Sequence, residues 1–172
     1  MAITMYTMSV PVFQHMLRNL LHILDKAERH SATRKIDPAA LTTFRLFPDM
    51  MPFARHVHIA CSEACMGVSR ICGMEAPRSD DKEASFPELK ERVGKALSYL
   101  CEVPAAAMEV TEDSDVTFMV RGALRTMKAE AYLKTWVMAN FFFHITTAYA
   151  ILRHNGVELG KLDYLDGQLA SG

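Results

Sequence analysis

The run from Ala129 to Gly156 reads AEAYLKTWVMANFFFHITTAYAILRHNG. Between Lys134 and Arg153 it holds no Asp, Glu, Lys or Arg, and it has neither Pro nor Gly before Gly156. Such a stretch predicts one long helix, with Gly156 as its cap. Leu133, Val137, Asn140, Phe141, His144, Ala148 and Ile151 fall on one inward stripe. The uncharged run is nearly long enough to span a bilayer, but Asn140, His144, Thr146 and Thr147 interrupt it. A buried bundle helix is therefore the expectation, not a membrane span. Phe141, Phe142 and Phe143 cover most of the helix circumference, which places the helix at the centre or turns one Phe toward a partner subunit.

Outward from this helix, the rest of the chain supplies its neighbours. Val10, Phe13, Leu17, Leu20, Leu24 and Ala27 recur at three- and four-residue steps on a first helix that starts near Ser9, or earlier. His15 and His22 lie on its other face with charged neighbours, and read as solvated. Asp37 and Pro38 open a short helix through about Leu46. A second long helix runs from about Asp49 to Cys72, with Pro52 in its first turn and Gly73 beyond its end. Ser85-Phe-Pro-Glu88 is a capping box that starts a third, running to about Leu100. EVTEDSD reads as loop, and VTFMV-RGA-LRTMK as a two-stranded hairpin turned at Gly122. The tail after Gly156 is expected to pack partly back and then fray. The fold class is all-α: a four-helix bundle in one domain over residues 1–172, with a short helix after the first long one and a hairpin before the last.

Composition excludes several functions. Net charge is -1, and no basic patch is interleaved with aromatics, so nucleic acid is not an expected partner. Three of the four cysteines (Cys61, Cys65 and Cys72, with Cys101 elsewhere) share one predicted helix, so they read as reduced thiols of a cytoplasmic protein. No signal peptide is expected. GVELGK is one residue short of a phosphate-cradling loop, and no GxSxG elbow occurs. The acidic pairs Asp80-Asp81 and Glu112-Asp113 fall in polar loops and read as solvated.

The remaining chemistry centres on histidine. A His at position 144 is expected to be buried, with Asn140 one turn before it. On the second long helix His56 and His58 point to opposite sides. His56 shares its face with Glu63 and Arg70 and reads as wet. His58 shares a face with Cys61 and Cys65 and borders the core, so it is the expected partner of His144. Two readings stand: a hydrogen-bonded core histidine beside packed thiols, which is favoured, or a metal held by His58, Cys61 and His144. The pocket candidates are thus His58, Asn140, His144 and Cys61.

FPDMMPFARHVHIACSEA, NFFFHITTAYAILRHNGVELGKLDYL, MYTMSVPVFQHMLRNLLHILDKA and RKIDPAALTTFRLFPDM resemble an uncharacterised bacterial family of unknown function within the DinB-like (DinB/YfiT) superfamily of four-helix bundles. The similarity covers nearly the whole chain. It implies a DinB-like bundle, commonly a homodimer. It also implies a divalent metal, held in many members by one His of the second long helix and an HxxxH pair of the last. Metal-using relatives include thiol-dependent transferases and isomerases. Here His144 falls on the second His of that pair, Asn140 on the first, and His56 or His58 near the remaining ligand. The expectation is a bundle with a degenerate metal site that binds a small molecule or a partner. The alternative is a divalent-metal enzyme, with zinc or nickel on His58 and His144. No catalytic residue is assigned.

Overall fold

The computed structural model describes residues 3–109, 113–167 and 169. The expectations for 110–112 in the acidic run, and for 168 and 170–172 in the tail, lie outside the described residues. Helix α1 spans Met5–Arg34, α2 Pro38–Thr42, α3 Phe53–Cys72, α4 Phe86–Glu102, α5 Ala129–His154 and α6 Lys161–Leu165. Strands β1 (Asp115–Val120) and β2 (Ala123–Lys128) form an antiparallel hairpin between α4 and α5.

Local chemistry sets most boundaries. Helix α1 starts at Met5 rather than Ser9, because Thr4 and Thr7 form a reciprocal cap, and Pro11 therefore lies inside the helix. The capping box at Ser85 and Glu88 starts α4 as expected. Helix α3 begins at Phe53, four residues later than expected. Pro52 caps it, and the Phe53 N–H donates to the Phe44 carbonyl (2.8 Å), so residues 49–52 turn back on the preceding segment. Arg121 and Gly122, at φ 49° and 80°, make the two-residue hairpin turn.

The bundle is held through α3, which packs on α4 on one side and on α5 on the other, while α1 packs against α4. The expected stripes are inward: Val10, Phe13, Leu17, Leu20, Leu24 and Ala27 of α1 are fully buried, as are Val57, Ala60, Ala64 and Val68 of α3. The hairpin docks through Phe118, whose ring lies 4.7 Å from Tyr132 and 5.2 Å from Trp136. The phenylalanine run divides its labour: Phe141 is buried against Phe13, Phe142 is half-buried, and Phe143 is 55% exposed. Over Tyr132–Val137 the hydrogen bonds of α5 widen to a π-helical turn, which the sequence pattern does not signal.

The tail does pack back, by polar clips on α1. His15 and His22, read as solvated, carry two of them. The His15 ring meets the Leu165 carbonyl at 2.6 Å, and His22 meets the Asp163 carboxylate at 2.7 Å. Asn19 donates to the Tyr164 carbonyl and accepts from the Gly167 N–H. Burial opposes the charge on Asp163, but the Gly160 N–H, Lys26 and His22 outweigh it and hold its carboxyl below the usual range.

Helices α3 and α5 pack tightly at Gly67. A Cβ there would sit 2.3 Å from Cγ1 of the buried Val137. Replacing Gly by Ala in a helix gains about 1 kcal/mol of propensity, yet overpacking a stiff β-branched neighbour costs more. Gly67→Ala is predicted to lose about 1–3 kcal/mol in urea unfolding, and Val137→Ala in the same chain to recover part of that loss.

Candidate functional site

Antiparallel packing of α3 on α5 lines up a series of polar pairs along their seam. Nδ1 of His56 lies 2.9 Å from Nδ1 of His144, with both rings buried. Further along, the Asn140 amide bonds to Glu63, and Arg70 donates to the Tyr132 hydroxyl at 2.7 Å. His56, Glu63 and Arg70 are seven residues apart, so one α3 face carries them all to α5.

The two imidazoles share one proton between facing nitrogens, so one ring donates and the other accepts. Burial, then the charges of His56 and Arg55, hold the His144 pKa down to about 4. Burial also lowers His56. The pair is therefore neutral at physiological pH. Burial raises the Glu63 carboxyl above its ordinary range, against the pull of Arg70 and Asn140.

The metal that the resemblance implies would fall on His56, Asn140 and His144, and the residues present do not fit it. Two imidazoles converge instead of three, and they bond each other. The third position is an amide turned to Glu63, and Asn is a poor ligand for a transition metal.

The opposite side of α3 faces α4 and the irregular segment 73–85. A cavity of about 370 Å³ opens there, lined among others by Cys61, Ser62, Cys65, Met66, Glu83 and Arg92. His58 belongs to this side. Its Nε2 donates to the Glu83 carbonyl at 2.9 Å and lies 3.4 Å from the Glu83 carboxylate. Arg92, 8% exposed, donates from Nη2 to Ser62 (2.8 Å), with the same nitrogen 3.0 Å from Asp81 Oδ1. Arg55 pairs with the other oxygen of Asp81. Burial pushes the Cys61 and Cys65 thiols well up, so they are protonated and line the wall as polarizable apolar surface.

The expected meeting of His58 with His144 is thus corrected: His56 makes it. His58 is rotated about 200° from His56 around α3 and faces the other neighbour. His56, expected wet, is 1% exposed. Cys61 lies with His58 on the cavity side, and Asn140 lies with His144 on the seam, so the four pocket candidates divide between two sites. Asp81, expected solvated, is ion-paired to two arginines. Arg92 and Glu83 were not singled out by the sequence. The position of Arg92 between Leu89 and Val93, inside an apolar stripe, was the available signal.

Stability follows from the neutral pair. An unfolded His binds a proton near pH 6.5, whereas His144 resists until about pH 4. The unfolded state therefore gains protons first as pH falls. Stability is expected to be full above pH 6.5 and to drop by roughly 2–3 kcal/mol between pH 6.5 and 4 on account of this residue. Urea unfolding across that range checks the slope, and His144→Gln should flatten it.

Comparison with known proteins agrees with this architecture. No curated protein matches the chain. A family model described as a domain of unknown function (DUF1993) matches residues 5–165. The crystal structure of a DinB family member protein from Shewanella denitrificans is 38% identical, covering 93% of this chain and 90% of that one, with a TM-score of 0.87. An α3 packed on both sides, a hairpin before the last long helix and a match over nearly the whole chain agree: the chain belongs to the DUF1993 family, with a DinB-like fold.

Proposed function

We propose that this protein is a small-molecule-binding bundle that works without the three-ligand metal centre, and that its ligand occupies the cavity between α3, α4 and residues 73–85. The cavity beside a buried arginine carries the reading. Its volume of about 370 Å³ suits a small metabolite. Its wall combines apolar thiols and methionine with a few fixed polar groups, among them Ser62 and Arg92. Two buried polar atoms of its lining residues find no hydrogen-bond partner among the described residues: Nη1 of Arg92 and Oε2 of Glu83. A ligand that satisfied them would remove a desolvation cost of about 1–3 kcal/mol each.

One observation favours a second reading, a divalent-metal enzyme. His58, Asp81 and Glu83 each offer a ligand atom, and these atoms lie within 4.8 Å of one another. The arginines weigh against it. A dication held there would sit beside two guanidinium groups already bonded to the same acids.

Thermal melting with a panel of small metabolites and with zinc, nickel and manganese separates the two. Met66 is partly exposed at the cavity wall, so Met66→Trp fills the space without entering the core. A ligand at a hundred times its Kd is expected to raise the melting point by about 5–10 °C in the native chain, and to do nothing to Met66→Trp. No metabolite with that pattern, together with a metal shift lost in His58→Ala, would replace this reading with the second.

A further inference from the structure

The placement of Asp81 indicates what kind of molecule the cavity takes, an inference that rests on the cavity being the ligand site. The Asp81 carboxylate bridges two guanidinium groups, with one oxygen on Arg55 and the other 3.0 Å from Arg92. It comes from a segment without helix or strand, and its backbone is left-handed at φ 56°, a region L-residues adopt rarely. Little else in the segment fixes it: its own N–H meets the Ser79 hydroxyl at 3.3 Å. The arginines, by contrast, are rooted in helices, and Arg92 is among the few buried charges of the described chain. A fixed pair of guanidiniums and a movable carboxylate is the arrangement of an anion site filled by the protein's own acid. The cavity agrees in sign: Arg78, Arg92 and Lys95 line it against Asp81 and Glu83. Nη1 of Arg92, 3.5 Å from Glu83, finds no hydrogen-bond acceptor among the described residues, so a donor remains for an incoming oxygen.

We propose that the ligand carries a carboxylate or phosphate group, and that this group takes the place of the Asp81 side chain between Arg55 and Arg92. Guanidinium binds both groups in a bidentate, charge-assisted way. Asp81 then turns to solvent, toward which it is already partly exposed, and its backbone is released from the left-handed region. The segment 73–85 is thus a competitor for the site as well as its wall, and anion affinity is set by the difference between the two carboxyl-type groups.

Calorimetric titration with inorganic phosphate and with succinate, each at fixed ionic strength, tests this on the native chain, Asp81→Asn and Arg55→Gln. Arg55 is about half exposed, so its replacement leaves the core intact. The expected result is at least tenfold tighter binding of one anion to Asp81→Asn and at least tenfold weaker binding to Arg55→Gln. Succinamide, the neutral analogue, should bind none of the three. The anion bound more tightly identifies the headgroup. Anion affinity unchanged in Asp81→Asn overturns the proposal. If that variant does not fold, native binding unchanged in Arg55→Gln, or no native binding, overturns it. Weaker anion binding by Asp81→Asn, alongside lost zinc binding, would do so too. Neutral metabolites whose melting shift disappears in Met66→Trp, with neither anion bound, would overturn the anion class and leave the cavity reading standing. No compound sensitive to Met66→Trp would remove both.

Discussion

Everything in this fold hangs on the close approach of α3 to α5. A glycine at position 67 lets the two backbones come near enough that Val137 occupies the space of a missing side chain. At that spacing, short and flat side chains can reach across the seam. The imidazoles of His56 and His144 meet, the Asn140 amide reaches Glu63, and Arg70 reaches Tyr132. Arg70 also lies 5.7 Å from the Phe118 ring centre, which ties the hairpin to the same seam. The pairing gives each of these side chains a partner across the seam, which offsets part of the cost of covering them. They also fix the helical register, because sliding one helix by a residue would leave several of these groups unpaired.

Because α3 is covered on both sides, it carries two unrelated polar systems. At the His56–His144 end the seam is buried and neutral, with imidazoles that resist protonation. The α4 side is open and charged, with guanidiniums, carboxylates and a cavity. The contrast is electrostatic. At the histidine pair, burial is answered by giving up charge. Beside the cavity, burial of Arg92 is answered by Asp81, Glu83 and Ser62. A buried ion pair is a poor source of net stability, since desolvation consumes most of the attraction. Its presence at the edge of a cavity supports the ligand site proposed above.

The α1 histidines show how a surface pattern can mislead. His15 and His22, with their charged neighbours, follow a rhythm that reads as a wet face. Here the face is covered by the C-terminal segment, which supplies Asp163 and the carbonyls of Tyr164 and Leu165. Hydrophobic periodicity cannot see such a cover, because the covering chain brings polar atoms to polar partners.

The sequence by itself determined the helices and their order. The stripes of α1, α3 and α5, the Ser85 capping box, the Gly73 and Gly156 stops and the turn at Gly122 are local effects, legible within a few residues of chain. The burial of His144 was legible for the same reason, since its stripe is apolar. The partner of His144 was not. His56, Glu63 and Arg70 have the composition of a solvent face, and only the packing of α5 on that face buries His56 and half-covers the other two. Nor was the role of Asp81, which is decided by Arg55 and Arg92 arriving from two helices 37 residues apart in the chain. Propensity and capping act over single turns and can be read in order. Which polar groups end up paired depends on how the helices pack, and that arrangement exists only in the tertiary structure.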